Sequence, residues 1–486
     1  MITHQPANNH DDLLKVLDGL LEEAGLDRKD LGGTLTFAGM DPIRPTQMKV
    51  GCAAAAITGA NAVASSLIWK MRSGEGQDIH IDLRKAYTSQ SAWQDTLADC
   101  TLINGTPHMS SGSVGNFGNI ILPTKDGRFV MLVSLYQSNT LRVMELLDSG
   151  TLPRQLEQAT MKWNAEELEK AAQDAGVPLT MIRTPEEYAA TEQYQHNASA
   201  PLIKIEKIGD SDPEPLGPAD RPLAGIRALG MVHVVAGPAA LRQLAAQGAD
   251  CLNLNTLNWI EVPHIYWQSD AGTRQTYLDA QTDANHKKIY ELVKDGDIFV
   301  QNLRPGLAAK QGFSPEQLAE FRPGIICVDV LFNQPTGPWG HMMGYDFHGG
   351  AVTGLLTQLG TPDQPRVPHG VNVICDFLTG YLGTIGAQAA LMRRATEGGS
   401  YKVTVTLAQT VMFEQSLGLV DKNTLLDLEN MGEEHQPLKP NLQTGQTAFG
   451  EFTRLGSQIE MSGTPEYWAD PIIHPIGSSK PEWLPR

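Results

Sequence analysis

Short apolar runs and helix-like repeats alternate along the C-terminal half of the chain. Runs rich in β-branched residues at 225–235, 251–254, 298–300 and 324–330 predict strands. Segments with helical spacing of apolar residues separate them. Strands that alternate with helices in this way are typical of a parallel, doubly wound α/β sheet.

The N-terminal half has a different pattern. Residues 1–33 predict a polar arm with one amphipathic helix, and residues 50–72 predict an alanine-rich buried helix rather than a membrane span. Alternating residues at 78–83 predict a strand. The stretch 209–222, rich in Pro, Asp and Gly, predicts a linker.

These patterns suggest several domains. A length of 486 residues is enough for roughly three domains at about 150 residues each. The expected division is an N-terminal arm with a partial repeat (1–104), a smaller α+β domain with its linker (105–220), the large sheet domain (221–418) and a C-terminal tail (419–486).

The partial repeat is an internal similarity between the two halves. Residues 52–83 can be laid on residues 376–407 without a gap, and both segments have the order helix, glycine turn, alternating strand. This shared order favours duplication. Cys52 occupies the place of Asp376 in this register, so only the second copy carries a carboxylate there.

Composition and charge limit the possible functions. Hydrophobic residues make up 41% and charged residues 19%, as in ordinary globular proteins. A net charge of −18 argues against nucleic acid, although local cations or helix N-termini could still bind a small anion. The 5 cysteines lack metal-ligand spacing, and no secretory signal is visible, so we expect a cytoplasmic protein.

Asp376 is the strongest candidate for chemistry. It stands at the predicted start of a long apolar helix. A helix N-terminus favours the anion and is expected to lower the pKa of a carboxyl group there. An ionised carboxylate suits nucleophilic catalysis better than proton donation. The alternative is that Asp376 only caps the helix.

Two further turns follow predicted strands. The segment 234–238, which contains Gly and Pro, starts a helix but is not a GxGxxG motif, and Asn255 stands where a nicotinamide-binding fold has an acidic residue. The segment 301–306 should lie at the carboxyl edge of the sheet, where open α/β sheets bind ligands. It offers Asn302 and Arg304.

Together these motifs resemble the class III CoA-transferases, the family that includes formyl-CoA transferase and carnitine CoA-transferase. The resemblance implies a Rossmann-like sheet domain plus a smaller α+β domain, in a homodimer. The motifs occur in family order at 221–229, 236–238, 248–250, 297–306, 336–338, 344–346 and 374–383.

The resemblance also assigns roles by position. Asp376 matches the aspartate nucleophile, Tyr345 and Asp346 match active-site wall residues, and Gly115 belongs to a loop at 112–118 that resembles the glycine loop covering the aspartate. The positions expected to contact coenzyme A are Val235, Ala236, Arg274, Asn302, Leu303 and, near the phosphates, Lys310.

Two departures from the family pattern stand out. The basic residue usually found after the second strand is missing near Asn255 and Thr256, so the sequence offers no cation for that part of the coenzyme A site. Related racemases have a His directly before the Asp that Asp346 matches. This chain has Tyr345 there, which counts against racemisation.

The resemblance implies transfer of coenzyme A from an acyl-CoA to a free carboxylic acid through covalent aspartyl intermediates. No metal, nucleic acid or membrane is expected to take part. One alternative is an acyl-CoA racemase or isomerase with His348 or His369 as base. Another is a non-catalytic CoA-binding protein, which the degenerate first half would allow.

Overall fold

The computed structural model describes residues 6–90, 100–107, 119–257, 261–371 and 373–486. The helices are α1 (His10–Ala24), α2 (Val50–Ser73), α3 (Leu83–Ala86), α4 (Gln137–Leu147), α5 (Pro153–Thr160), α6 (Ala165–Ala175), α7 (Pro185–Ala189), α8 (Glu192–Ser199), α9 (Ala236–Ala246), α10 (Pro263–Ser269), α11 (Asp283–Lys294), α12 (Leu307–Lys310), α13 (Pro315–Phe321), α14 (Asp346–Val352), α15 (Leu355–Leu359), α16 (Asp376–Glu397), α17 (Leu407–Ser416) and α18 (Lys422–Leu425). The strands are β1 (Leu35–Ala38), β2 (Ile79–Asp82), β3 (Leu102–Ile103), β4 (Thr106–Pro107), β5 (Asn119–Pro123), β6 (Phe129–Val133), β7 (Leu179–Met181), β8 (Lys204–Gly209), β9 (Arg227–Met231), β10 (Asp250–Asn255), β11 (Thr273–Tyr277), β12 (Ile298–Gln301), β13 (Ile326–Leu331), β14 (Ser400–Thr406), β15 (Leu442–Thr447), β16 (Gly450–Leu455) and β17 (Ile459–Met461).

A seven-stranded sheet with the order β11-β10-β9-β12-β13-β14-β8 forms the centre of the molecule. Neighbouring strands are parallel except for β8, which is antiparallel to β14. The chain runs outward from β9 to β11 and then returns to β12, so the strand order reverses between β9 and β12. This confirms the predicted doubly wound α/β sheet. Such a reversal is where open α/β sheets bind ligands, at the carboxyl ends of the strands.

Two long apolar helices, α2 and α16, pack against each other through a buried polar seam. The amide of Gln388 donates to Asn61 Oδ1 at 2.6 Å and accepts from Ser65 Oγ at 2.8 Å. Helix α2 is long and apolar enough to cross a membrane, but its most apolar window is 100% buried inside the protein. It is the core helix that the alanine-rich pattern predicts.

Helix α16 also approaches α9 closely. A Cβ atom at Gly380 would overlap the carbonyl oxygen of Ala236, so only glycine lets the two backbones meet there. The start of α16 therefore lies beside the turn that follows β9.

The internal similarity seen in the sequence reappears as a repeated order of elements. Helix α2 ends at Gly74 (φ 80°) and leads to β2, and α16 ends at Gly398 (φ 71°) and leads to β14. The two strands have different surroundings, because β2 belongs to a separate sheet with β1 and β17.

A smaller α+β unit precedes the large sheet in the chain. Strands β5, β6 and β7 form an antiparallel sheet. Helices α4, α5 and α6 cover it through an apolar cluster that includes Leu132, Val143, Leu156 and Leu168. The first turn of α4 reaches the carboxyl edge of the large sheet.

The segment expected to be a C-terminal tail is integrated into the fold. Strand β17 pairs antiparallel with β2, and β16 pairs antiparallel with β3. The Trp468 indole N–H also donates to the carbonyl of Arg242 on α9 at 2.9 Å. The partners of these strands lie hundreds of residues earlier in the chain, so no local pattern marks the pairing.

Candidate active site

The turn after β9 contains a strained residue. Val234 has a φ of 66°, in the left-handed region that β-branched residues rarely adopt. Asn302 clamps the preceding residue: its Oδ1 accepts from the His233 N–H at 3.0 Å, and its Nδ2 donates to the His233 carbonyl at 2.7 Å. The Glu261 carboxylate accepts the N–H of Val234 at 3.4 Å. These bonds hold the turn in a conformation that costs free energy.

Helix α9 begins directly after this turn. Within the described residues no side chain caps it, so N–H groups at its start remain available. Val235 and Ala236, both predicted to contact coenzyme A, line a cavity at this point. A helix start with free N–H groups favours an anion.

Asp346 caps the helix that Asp376 begins. Its carboxylate accepts the backbone N–H groups of Ile374 at 2.7 Å, Cys375 at 2.7 Å and Asp376 at 2.9 Å. The sequence left open that Asp376 itself was the cap. The structure gives that role to Asp346, 30 residues earlier. Asp346 was expected in the wall of the active site, but it does not line the cavity that Asp376 faces.

The carboxylate of Asp376 faces the cavity. No group in the described part of the chain hydrogen-bonds its oxygens, although the side chain is only 6% exposed. The cavity has a volume of about 690 Å³, which is in the range of small-molecule sites. Asp376 is thus a carboxylate free to react with a ligand held there.

The electrostatics of Asp376 differ from the sequence expectation. Burial, and then the adjacent Asp346 carboxylate, raise the pKa of Asp376 well above its usual value. A lowered pKa was expected from the helix N-terminus, but Asp346 already uses the N–H groups that would have stabilised the charge. A carboxylate of raised pKa is more basic and therefore more nucleophilic once ionised, although a smaller fraction is ionised at a given pH.

Tyr345 forms part of the cavity wall next to Asp376. Its hydroxyl accepts a hydrogen bond from Asn139 Nδ2 of α4 at 3.3 Å, and its backbone N–H donates to His348 Nδ1 at 2.8 Å. Burial raises the pKa of the Tyr345 phenol, so its hydroxyl keeps a proton to donate.

Three cations line the same cavity: Arg142 of α4, Arg304 after β12 and Lys310 at the end of α12. None of them forms an ion pair with a carboxylate in the described residues. Unpaired cations around one cavity, in a chain with a net charge of −18, indicate an anionic ligand such as a phosphate. Sequence reasoning missed Arg142, because one arginine in an amphipathic helix carries no signal of what it faces.

Leu303 and Arg274 have contrasting positions. Leu303, which is predicted to contact coenzyme A, lines the cavity. Arg274 does not: it lies on the edge strand β11, where its guanidinium pairs with Asp250 at 2.8 Å and donates to the Glu482 carbonyl at 2.9 Å. Arg274 therefore lies apart from the other positions that the family resemblance assigned to coenzyme A, because this edge of the sheet faces the C-terminal segment. Gly115 and the rest of its loop lie outside the described residues.

The histidines named for an isomerase do not face Asp376. His348 is buried behind Tyr345, where burial lowers its pKa to about 3, and His369 is on the surface. Neither lines the cavity. His233 does, and burial lowers its pKa to about 4, which leaves it uncharged at neutral pH.

Asp346, Cys375 and Asp376 are close enough to share a metal ion, with ligand atoms within 4.8 Å of one another. Their chemistry favours hydrogen bonding instead. Both Asp346 oxygens accept N–H bonds, and burial raises the pKa of the Cys375 thiol well above its usual value. A metal would have to displace the helix cap.

The first half of the chain has a similar aspartate cap at the start of α2, but no reactive carboxylate follows it. Asp41 accepts the N–H groups of Gly51 at 3.2 Å and Cys52 at 2.7 Å, as Asp346 does at α16. The N-terminal arm covers this position: the Ala7 carbonyl accepts from Lys49 Nζ at 2.8 Å and lies 4.0 Å from Cys52 Sγ. Neither Asp41 nor Cys52 lines the cavity around Asp376.

Comparison with solved structures gives only a partial match. A crystal structure of a CAIB/BAIF family protein from Brucella suis has a TM-score of 0.37 and 23% sequence identity, and the match covers 48% of this chain and 65% of that one.

Sequence comparisons identify the family. An acetyl-coenzyme A transferase of Hypoxylon pulicicidum is 26% identical over 337 residues, which are 63% of this chain and 56% of the relative. A formyl-CoA:oxalate CoA-transferase of Streptomyces avermitilis is 27% identical over 201 residues, 39% of this chain and 49% of the relative. The chain thus spans about half the length of these curated relatives. The model of CoA-transferase family III matches residues 28–207 and 223–448. Because this match covers most of the sequence, the chain belongs to CoA-transferase family III.

Proposed function

We propose that the protein transfers coenzyme A from an acyl-CoA to a free carboxylic acid through covalent intermediates on Asp376. The observation that carries this proposal is the Asp376 carboxylate, unbonded in the described residues, in a cavity of about 690 Å³ that also holds three cations. The names of both relatives describe CoA transfer, but one names acetyl-CoA and the other names formyl-CoA and oxalate.

The cavity offers a path for coenzyme A. The phosphates would bind Arg142, Arg304 and Lys310, and the free N–H groups at the start of α9 would add to this site. Arg142 would supply a cation from the smaller domain where the sequence lacks one after β10. The pantetheine arm would then pass Asn302 and Leu303 and bring the thioester to Asp376.

The chemistry proceeds by exchange of carbonyl substituents. An ionised Asp376 oxygen bonds to the thioester carbonyl carbon, the C–S bond breaks, and an aspartyl–acyl anhydride and CoA thiolate form. The thiolate then attacks Cγ of Asp376, which gives an aspartyl-CoA thioester and releases the first acid. The acceptor carboxylate repeats these steps in reverse order. Each covalent step replaces one difficult exchange with easier ones.

The residues around Asp376 support this series of reaction steps. The raised pKa of Asp376 makes its anion a stronger nucleophile. The Tyr345 hydroxyl can donate a hydrogen bond to a developing oxyanion. The largely buried position of Asp376 keeps water from the anhydride, which would otherwise hydrolyse.

An oxygen-18 label tests the covalent route. With an acceptor acid labelled in its carboxylate, the bridging oxygen of the second anhydride stays on Asp376 when the product acyl-CoA leaves. Peptide mass spectrometry after turnover should find the label in the peptide that contains Asp376. Asp376→Asn should give neither label nor product.

Other outcomes point to the alternatives. Product formed without label on Asp376 would contradict the aspartyl intermediates. Exchange of deuterium into the acyl Cα without any acceptor would instead indicate an isomerase. Binding of acyl-CoA without any reaction would indicate a non-catalytic protein.

We further propose a homodimer, on the basis of family membership alone. Multi-angle light scattering of the purified chain measures the mass directly. A monomer at micromolar concentration would refute this part and leave the catalytic proposal unaffected.

A further inference from the structure

The polarity of the cavity changes along the carboxyl edge of the sheet. The side formed by the turn after β9 and the loop after β12 carries the polar side chains His233, Asn302 and Arg304 among apolar residues such as Val235 and Leu303. The side formed by the end of β13 and the start of α17 carries Val330, Leu331, Phe332 and Leu407, and Met342 and Met343 extend it. Because β12 lies between β9 and β13 in the sheet, the charged side chain Arg304 lies toward β9 and β12, and the β13 side of the lining is apolar apart from Tyr345.

The apolar side is next to the reactive carboxylate. The Phe332 ring packs so closely on Gly344 that a Cβ there would overlap it, and Gly344 is two residues before Asp346, the cap of Asp376. Leu407 begins α17, which touches α16 one turn beyond Asp376 through the Thr379–Thr410 hydroxyl contact at 2.8 Å. An acyl group bonded to Asp376 would therefore meet aliphatic, thioether and phenyl groups.

The cations that line the cavity come from elements other than β13 and α17. Every Lys and Arg of the chain is in the described residues, and the three that line the cavity are Arg142, Arg304 and Lys310. Arg304 and Arg142 lie close together beside Gly176. A Cβ atom at Gly176 would be 3.3 Å from Arg304 Nη1 and 3.9 Å from Arg142 Cδ. No lysine or arginine comes from β13, α17 or the segment that holds Met342 and Met343.

This distribution bears on the acid that the site accepts. A second carboxylate on the acyl chain would be buried among apolar groups without a counter-ion, which is costly. An apolar chain gains free energy there in proportion to the area buried. Methionine side chains are flexible and adapt to different shapes.

We propose that the acyl donor and acceptor of this protein are monocarboxylic acids with apolar chains, held by Phe332, Leu407, Met342 and Met343, and that dicarboxylic acids are discriminated against. This inference rests on the proposed function and adds the substrate class. The reaction is unchanged: the hexanoyl carbonyl carbon, for example, exchanges its bond to sulfur for a bond to an Asp376 oxygen.

Two parallel measurements test the proposal. In the first, the wild type is mixed with hexanoyl-CoA or succinyl-CoA, and intact-mass spectrometry follows formation of the aspartyl-CoA adduct, whose mass is the same for both donors. We expect hexanoyl-CoA to form it at least tenfold faster. In the second, isothermal titration of Asp376→Asn compares binding of the two thioesters without chemistry. We expect at least tenfold tighter binding of hexanoyl-CoA.

A variant that introduces a charge tests whether the apolar side of the cavity causes the preference for hexanoyl-CoA over succinyl-CoA. Met343→Lys places a cation on the apolar side at a half-buried position. It should lower the preference for hexanoyl-CoA over succinyl-CoA at least tenfold, both in the rate of adduct formation and in binding affinity. Met161→Lys, at an exposed position on the smaller unit away from the cavity, is the matched control and should leave the ratio unchanged.

The outcomes separate the two proposals. Equal or better adduct formation and binding with succinyl-CoA would overturn the substrate class and leave CoA transfer standing. If neither donor forms an adduct but hexanoyl-CoA still binds more tightly, the covalent transfer is refuted. The preference of the cavity for an apolar acyl chain is then supported.

Discussion

Asp346 holds the backbone N–H of Asp376 at 2.9 Å and leaves the side chain of Asp376 free to face the cavity. One carboxylate provides the helix cap, and the other is available for chemistry. Their proximity has an electrostatic consequence, because the Asp346 charge adds to burial in raising the pKa of Asp376.

Asp346→Asn should separate these two effects. The amide cannot accept all three N–H groups, so we expect the free energy of unfolding to fall by about 2–3 kcal/mol. Loss of the neighbouring charge lowers the pKa of Asp376, so the acid limb of the kcat/KM profile should move to lower pH. Urea unfolding and a pH series of initial rates measure the two.

Asp41→Asn is the matched control for this prediction. It removes the corresponding cap of α2 and should also destabilise the protein. The pH profile should stay that of the wild type, since Asp41 does not line the cavity. An unchanged profile in Asp346→Asn would contradict the electrostatic coupling.

Asp376→Asn should make the protein more stable at neutral pH. A carboxyl group whose pKa is raised by folding binds its proton more tightly in the folded state. The wild type therefore loses stability as pH rises from the ordinary value of 3.8 to the raised one, and the loss persists above it. Asparagine avoids this loss, so we expect its free energy of unfolding at neutral pH to exceed that of the wild type by about 1 kcal/mol or more.

Urea unfolding of both proteins between pH 5 and pH 8 checks this sign. The stability difference should be smallest at pH 5 and increase with pH until Asp376 is fully ionised. Asp363→Asn, at an exposed position, is the control for the removal of a carboxylate. A wild type that equals Asp376→Asn at every pH would mean that the folded protein leaves the pKa of Asp376 unperturbed.

Arg304→Ala and Lys310→Ala should weaken binding of acyl-CoA. Each removes one cation from the cavity, and we expect KM to rise roughly fivefold per residue, equivalent to about 1 kcal/mol. The effect should shrink at high salt. Steady-state kinetics at 0.05 and 0.5 M salt measure it, with Lys170→Ala on the exposed face of α6 as control. A change in kcat alone would argue against a phosphate-binding role.

Arg274→Ala should affect folding and leave binding intact. It breaks a largely buried ion pair with Asp250, which costs about 3 kcal/mol or more. KM for acyl-CoA should remain within twofold of the wild type, because Arg274 does not line the cavity. A tenfold rise in KM with unchanged stability would support the coenzyme A contact that the family resemblance assigned to Arg274.

Local patterns predicted much of the large sheet and part of the site. The apolar runs at 298–300 and 324–330 are the strands β12 and β13 to within two residues. The Gly-Pro turn starts α9, and Asp376 starts α16. Each of these depends on neighbouring residues only, because backbone sterics and side-chain periodicity act over a few positions.

Other features have no local signal. The pairing of β16 with β3, the approach of Arg142 from the smaller unit and the ion pair of Arg274 join residues far apart in the chain. Family position placed Arg274 in the binding site, but a change in what covers an edge strand can give an arginine a new partner. Packing decides such contacts.

Short-range periodicity and turn chemistry were enough to predict β9, β10, β12 and β13, the carboxylate at the start of α16 and the turns after β9 and β12. Long-range packing sets which aspartate caps the helix, which cations face the cavity, and that the pKa of Asp376 is raised rather than lowered. Desolvation and charge–charge interactions depend on which groups the fold brings together, however far apart they are in the chain.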